Sequence, residues 1–308
     1  MLLRESPLLD GARRARRLPH GAVALIVAAL IPFVASFLSV PLLVFVYRFA
    51  PAILENEIGT LMLSLLLAFS GIFFLLWLWV RAVERRPFAT LYHYPANEVW
   101  GFSWQRVLFL YGRGFLSGVG LILLTLLLLW VLGVRISLQP SESPWTQRLL
   151  LVILVIPAWV VQGAAEEVLT RGWLLPVLTV RHGLGTGLFA SAMLFAALHV
   201  LNPGVTPLAL LNLFLFGVFA AWYALREGSL WGICGCHSAW NWALGHLLGL
   251  SVSGASVGGS LLRLRLEGAT SLTGGAFGPE GGWGVTLSLL LAWGVLLFLP
   301  SRAPRSAG

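Results

Sequence analysis

The chain has 308 residues, of which 58% are hydrophobic and only 10% charged, with a mean hydropathy of +0.88. A soluble domain carries about 25% charged residues, so a water-soluble fold of this length is excluded. The formal charge is +8, with arginine as the only strong base. These arginines sit in short segments beside apolar stretches and form no basic-aromatic stripe, which argues against a nucleic-acid partner.

Apolar runs of transmembrane length recur along the chain. They predict an all-α fold, a polytopic transmembrane helical bundle of about eight spans, at roughly 22–47, 59–81, 106–133, 147–171, 184–201, 206–225, 229–250 and 283–300. The N-terminus, residues 1–21, is basic, with Arg13, Arg14, Arg16 and Arg17. The apolar run that follows is too long for a signal peptide and reads as an uncleaved first span. Residues 22–146 make up the N-terminal helices and include a cytoplasmic loop over 84–105. That loop is aromatic and amphipathic, and is expected to lie in the interface plane. Residues 147–250 are joined by very short turns, Asn202-Pro203-Gly204 and Arg226-Glu227-Gly228, which force antiparallel packing of four helices. Residues 251–283 are rich in Gly and Ser and read as a flexible outer loop with a short re-entrant turn near 274–279. Residues 284–308 hold the last span and a cytoplasmic tail.

Arginine placement orients the bundle. Arg4 and the N-terminal cluster, Arg81, Arg85, Arg86, Arg106, Arg171, Arg181, Arg226, Arg302 and Arg305 fall on one side; Arg48, Arg135, Arg148, Arg263 and Arg265 fall on the other. The positive-inside rule then predicts a multi-pass cell-membrane protein with both termini cytoplasmic.

Between Leu149 and Leu225 the acids and bases other than His are Glu166, Glu167, Arg171 and Arg181. An ionisable side chain at the bilayer centre costs about 2.5–3.5 kcal/mol on insertion scales, and two adjacent carboxylates repel each other. Glu167 and Arg171 are four apart and meet on one helix face. Glu166 is rotated about 100° from Glu167 and cannot share that arginine. With Arg171 taken as the cytoplasmic end of span four, Glu166 lies roughly 7–8 Å deeper at 1.5 Å per residue, a depth that suits a water-filled cavity opening toward the cytoplasm. His237 and Asn241, four apart, share a face of span seven. His199 falls near the outer end of span five by counting, at odds with a Glu166 in the inner third. A tilted, shorter or displaced span five would reconcile the two.

These residues spell three patterns in order. Glu166-Glu167-Val168-Leu169-Thr170-Arg171 reads EExxxR, Phe195 to His199 reads FxxxH, and His237 to Asn241 reads HxxxN. Over residues 147–250 their order and spacing resemble the CAAX-protease and bacteriocin-processing (CPBP, or Abi) family of intramembrane glutamate endopeptidases. The eight-span layout and the ERRPF stretch are also similar; Thr170 departs from the phenylalanine found in many members. The resemblance implies peptide-bond hydrolysis in the cytoplasmic half of the membrane, without a cofactor, on a peptide or membrane-protein substrate that includes CAAX-like C-terminal motifs. Glu166 would act as general base on a water shared with His199, and His237 and Asn241 would donate to the oxyanion. Glu167 and Arg171 would hold span four in register, and Phe195 would pack beneath His199.

Three other readings stand beside it. Glu166, His199 and His237 have the ligand types of a catalytic zinc site, with Cys234 and Cys236 nearby, though no HExxH is present. A non-catalytic scaffold or immunity protein would keep the fold without the reaction. A transporter would use the glutamates as a proton relay, but the paired half-repeats expected of one are not visible. His20, His93, His182 and His246 lie outside the motifs and read as interfacial or structural.

Overall fold

The computed structural model describes residues 3–92, 103–141 and 143–298. Its long helices are α1 (Gly21–Phe49), α2 (Glu57–Trp79), α3 (Trp104–Val131), α4 (Trp145–Leu154), α5 (Ile156–Glu167), α6 (Leu175–His182), α7 (Leu184–Ala197), α8 (Pro207–Glu227), α9 (Trp231–Trp242) and α10 (Trp283–Phe298). Short π-helical turns extend α2 through Glu84 and α9 through Leu247, and a longer one, Val168–Leu174, joins α5 to α6. Local chemistry sets the starts. The Asn56 side chain accepts from the amides of Ile58 and Gly59 ahead of α2, and Thr206 accepts from Ala209 ahead of α8, whose first residue is Pro207. Such caps satisfy amides that have no partner inside the helix.

Among the described residues, five helical stretches are long and apolar enough to cross a membrane: Gly21–Phe49, Glu57–Glu84, Trp104–Val131, Trp145–His182 and Pro207–Glu227. The chain is an all-α membrane bundle. The fifth and eighth expected spans correspond to shorter helices, of 14 and 16 residues. At 1.5 Å per residue α7 reaches only about 21 Å, less than the roughly 30 Å of a hydrocarbon core. The last two residues of the expected eighth span, Arg302, Arg305, His93 and the 93–102 part of the amphipathic loop lie outside the described residues.

Span four differs from expectation in length. It runs from Trp145 to His182, and Arg171 lies well inside it, with no exposed surface. Arg171 is paired within the protein, so it marks no boundary. The true hinge is Gly183, whose φ of 88° turns α6 into α7. Glu166 precedes this hinge by 17 positions and His199 follows it by 16. On antiparallel helices that puts both at a similar distance from the hinge, which removes the conflict raised by counting.

The two ends of the bundle are built differently. At one end the N-terminal segment, the residues after α2, the Gly183 hairpin and the α8–α9 turn meet. Arg181 donates to the carbonyls of Leu18 and Pro19, Leu230 N–H donates to Tyr92 O, and Gly228 lies against Pro7. Residues 84–92 are docked here with Glu84, Arg86, Thr90 and Leu91 buried, so this part of the loop packs into the protein instead of lying flat. Its acid and base pair with each other, which lets them leave water.

At the other end the Gly- and Ser-rich segment is folded, contrary to the flexible loop expected. Residues 135–138 and 264–267 pair as two antiparallel strands, β1 and β2, with Arg135 opposite Glu267. Phe277 is fully buried and Glu280 nearly so. Asn212 of α8 donates to the carbonyls of Glu280 and Gly282, and Gly254 N–H donates to Phe277 O. The helices thus supply the order that the loop's own sequence lacks.

Close helix contact explains the cysteines. A Cβ on Gly118 of α3 would strike the Cys236 carbonyl, and one on Gly235 would strike the Tyr111 carbonyl. Small residues therefore let α3 and α9 approach backbone to backbone. Cys234 and Cys236 are free thiols buried in that seam.

Candidate active site

The site is assembled from the C-terminal end of α5, the turn after α7, and the middle of α9. His237 reaches from α9 to both glutamates. Its Nδ1 lies 2.8 Å from Glu167 Oε1, and its Nε2 lies 3.5 Å from Glu166 Oε2. The two carboxylates diverge because neighbours on a helix differ by about 100°, and the imidazole spans the gap with one nitrogen for each.

Glu167 is fully buried and accepts from Arg171 Nη1 at 3.1 Å. Arg171 Nη1 also donates to Thr170 Oγ1 at 2.7 Å, while Thr170 Oγ1 donates to the Glu166 carbonyl at 2.5 Å. Thr170 therefore ties the arginine to the backbone of the glutamate. The Arg171 guanidinium sits 4.4 Å from the centre of the Phe195 ring and 5.9 Å from that of Phe216. The aromatic faces receive a charge that has no water. Phe216 also stands edge-on to His237, with ring centres 5.1 Å apart.

His199 places Nδ1 2.8 Å from the Phe195 carbonyl. A carbonyl only accepts, so Nδ1 carries the hydrogen and Nε2 is left as an acceptor. Asn241, expected to act beside His237, donates from Nδ2 to Gln162 Oε1 at 2.8 Å. Both amides are almost fully buried. His237 likewise has its nitrogens turned to the two glutamates, so the shared helix face of His237 and Asn241 serves two different partners.

A cavity of about 210 Å³ is lined by Gln162, Glu166, His199, His237 and Asn241. One water needs about 10–15 Å³ on such a measure, so there is room for water and more. The Glu166 side chain is 18% exposed, whereas that of Glu167 is fully buried. A second cavity of about 340 Å³ meets Glu166 and His199 from the side, between Phe33 of α1 and Leu198.

The cavity does not open where the sequence suggested. Its other walls include Asn202, Val252, Ser253, Ala255 and Glu280, all from the end opposite the N-terminal arginines. The expectation has the same source as before: with span four read as ending at Arg171, Glu166 was placed near an end of the helix, whereas in a span that runs on to His182 it lies close to the middle.

Sequence reasoning passed over four residues here. Gln162 stands one turn before Glu166, a spacing of four that signals a shared face. Phe216 gave no signal beyond its apolarity. Glu280 accepts from Trp240 Nε1 at 2.9 Å and from the Ser253 amide and hydroxyl, and Asn202 Nδ2 donates to Ser253 O at 2.9 Å. The Ser253 peptide is thus clasped on both sides, and its φ of 46° is unusual for a residue with a side chain. Glu280 was hidden within a stretch read as flexible. Among the described residues no three His, Cys, Asp or Glu side chains group as a metal-holding set.

Residues 148–243 match the family model of the Rce1-like proteins, described as type II CAAX prenyl endopeptidase Rce1-like. The matched segment contains Gln162, Glu166, Glu167, Arg171, Phe195, His199, Phe216, His237 and Asn241. No curated protein and no solved structure matches the chain. The match spans 96 of the 308 residues, so it is this segment, residues 148–243, that is similar to the Rce1-like proteins, a protease family within CPBP.

Proposed function

We propose that this protein is an intramembrane glutamate endopeptidase that works without a metal ion. Glu166 takes a proton from a water that also donates to His199 Nε2, and the water oxygen attacks the scissile carbonyl carbon. Negative charge grows on the carbonyl oxygen and is met by N–H donors from His237 Nε2 and Asn241 Nδ2. Glu167 accepts from His237 Nδ1–H, and for Nε2 to donate as well the ring carries both protons, an imidazolium set between the two carboxylates. When the C–N bond breaks, the proton on Glu166 passes to the leaving nitrogen, and a carboxylate and an amine are released.

One observation supports this reading above the others. Glu166 and His199 line the same cavity, and His199 Nδ1 is spent on a backbone carbonyl, which leaves its second nitrogen an acceptor for water. The substrate is a peptide or membrane-protein segment, with prenylated C-terminal motifs among the candidates the family suggests.

The test is cleavage of a quenched fluorescent apolar peptide by the purified protein. Glu166→Gln is expected to be inactive while eluting and melting like the parent, and activity is expected to withstand chelators. Full activity in Glu166→Gln would sink the proposal. Loss of activity to a chelator, restored by zinc, would replace it with a metal mechanism built on the same histidines.

A further inference from the structure

The charge of the two ends and the position of the cavity mouth bear on each other. At the closed end stand Arg4, Arg13, Arg14, Arg16, Arg17, Arg81, Arg85, Arg86, Arg106, Arg113, Arg181 and Arg226, against the acids Glu5, Asp10, Glu84 and Glu227. At the end bearing β1 and β2 stand Arg48, Arg135, Arg148, Arg263 and Arg265, against Glu55, Glu57, Glu267 and Glu280. Only the first end has a large basic excess. Arginine in short segments beside apolar helices stays in the cytoplasm, so the closed end is the cytoplasmic one.

The cavity that holds Glu166 reaches the opposite end. Its walls at that end are Asn202, Val252, Ser253, Ala255 and Glu280, with Leu61 from the first turns of α2. Ala255 is exposed at this rim. Toward the cytoplasm the way is shut: Glu84, Arg86, Leu91 and Trp173 are buried against one another, and Gly172 packs on the Leu91 carbonyl. The lining is mainly apolar and aromatic. It includes the carboxylates of Glu166 and Glu280 and no arginine. A wall of that kind suits an apolar, uncharged stretch of chain and offers no arginine to a substrate carboxylate.

We infer that the chamber takes its substrate from the non-cytoplasmic face, and that this substrate is an apolar, uncharged peptide segment of a membrane or exported protein. The inference rests on the peptidase reading for the word substrate; the sidedness of the chamber stands on geometry and charge alone.

Two measurements separate these. The first is labelling in intact cells with a membrane-impermeant thiol reagent, the two native cysteines being buried. Ala255→Cys at the rim and Leu65→Cys on the chamber wall are expected to react from outside, and Ala15→Cys only after permeabilisation. Leu61→Cys repeats the chamber position in case Leu65→Cys fails to accumulate. Failure of both chamber positions to react from outside, with Ala255→Cys labelled or not, overturns the inference. The second is cleavage of an apolar peptide added to sealed vesicles. Right-side-out vesicles are expected to cut it at least about tenfold faster than inverted ones, with the difference abolished by detergent. Equal or faster cleavage by inverted vesicles overturns the inference. A protein inert in every preparation, detergent included, overturns the peptidase reading and leaves the labelling result to decide the sidedness.

Discussion

Two carboxylates in this protein are withdrawn from water to different degrees and by opposite means, one fully buried and one partly so. Glu84, at the closed end, is saturated. Its Oε1 accepts from the indoles of Trp79 and Trp173, and its Oε2 accepts from Arg86 Nε at 2.7 Å, while Arg86 Nη1 reaches Thr90. Glu166, at the chamber, has one partner at the edge of contact, His237 Nε2 at 3.5 Å, and its Oε2 has no hydrogen bond within the protein. A buried charge is costly unless paired and hydrogen-bonded. The closed end meets that cost within the fold and is thereby sealed. The chamber leaves it open, beside space large enough for water and a peptide. The difference teaches where to look for chemistry in an apolar protein: at the carboxylate whose coordination is incomplete and which borders a cavity, not at the one that is merely buried.

The largest effects test that contrast directly. Glu166→Gln keeps the shape and removes the base, so kcat is expected to fall by about 10²–10⁴-fold with no loss of thermal stability. Glu84→Ala leaves Arg86 buried and unpaired, and is expected to cost about 3–5 kcal/mol of stability, while the molecules that remain folded cut peptide at the parental rate. These are measured by steady-state kinetics and by thermal unfolding in detergent. An unstable Glu166→Gln, or a stable Glu84→Ala with altered kcat, would break the comparison.

Glu167 sharpens it, because it belongs to both kinds. It is fully buried and paired with Arg171, like Glu84, yet it holds His237 at the chamber. Glu167→Gln is expected to lower both stability and kcat, each by less than the two variants above. Loss of one property alone would assign Glu167 to a single region.

How much of this was legible in the sequence depends on the residue. The membrane bundle and the three motifs were, because a bilayer makes ionisable residues rare and those that remain stand out. The Glu167–Arg171 pair followed from helical spacing alone. The depth of Glu166 did not, because an arginine inside a span looks like one at its end until its partners are known. Beside Glu167 those partners include Phe195 and Phe216, rings from helices that sequence spacing cannot connect. The folded outer segment was illegible for a related reason. Glycine and serine carry no periodic signal, and the groups that fix Glu280 come from Asn212 and Trp240, 68 and 40 residues away. Local chemistry is written in order along the chain, whereas saturation of a buried group is decided by tertiary neighbours.

Gln162 gives the smallest effect and the finest test. An uncharged amide on an apolar helix reads as glue between helices. Its position says more, since it faces the cavity one turn from Glu166 and accepts from Asn241 Nδ2. That bond fixes which way the Asn241 amide points, and so which of its atoms faces a developing oxyanion. Gln162→Leu would leave a buried Asn241 donor unmatched, at a cost of about 1–3 kcal/mol. If Asn241 then turns, kcat is expected to fall about tenfold with KM unchanged. Gln162→Glu keeps an acceptor at the same atom and is expected to restore part of kcat. A structural role alone predicts that both variants lose stability and that neither changes kcat in the folded fraction. The split between the two variants therefore decides whether incomplete coordination at the chamber is confined to Glu166 or is a property of the whole wall it stands on.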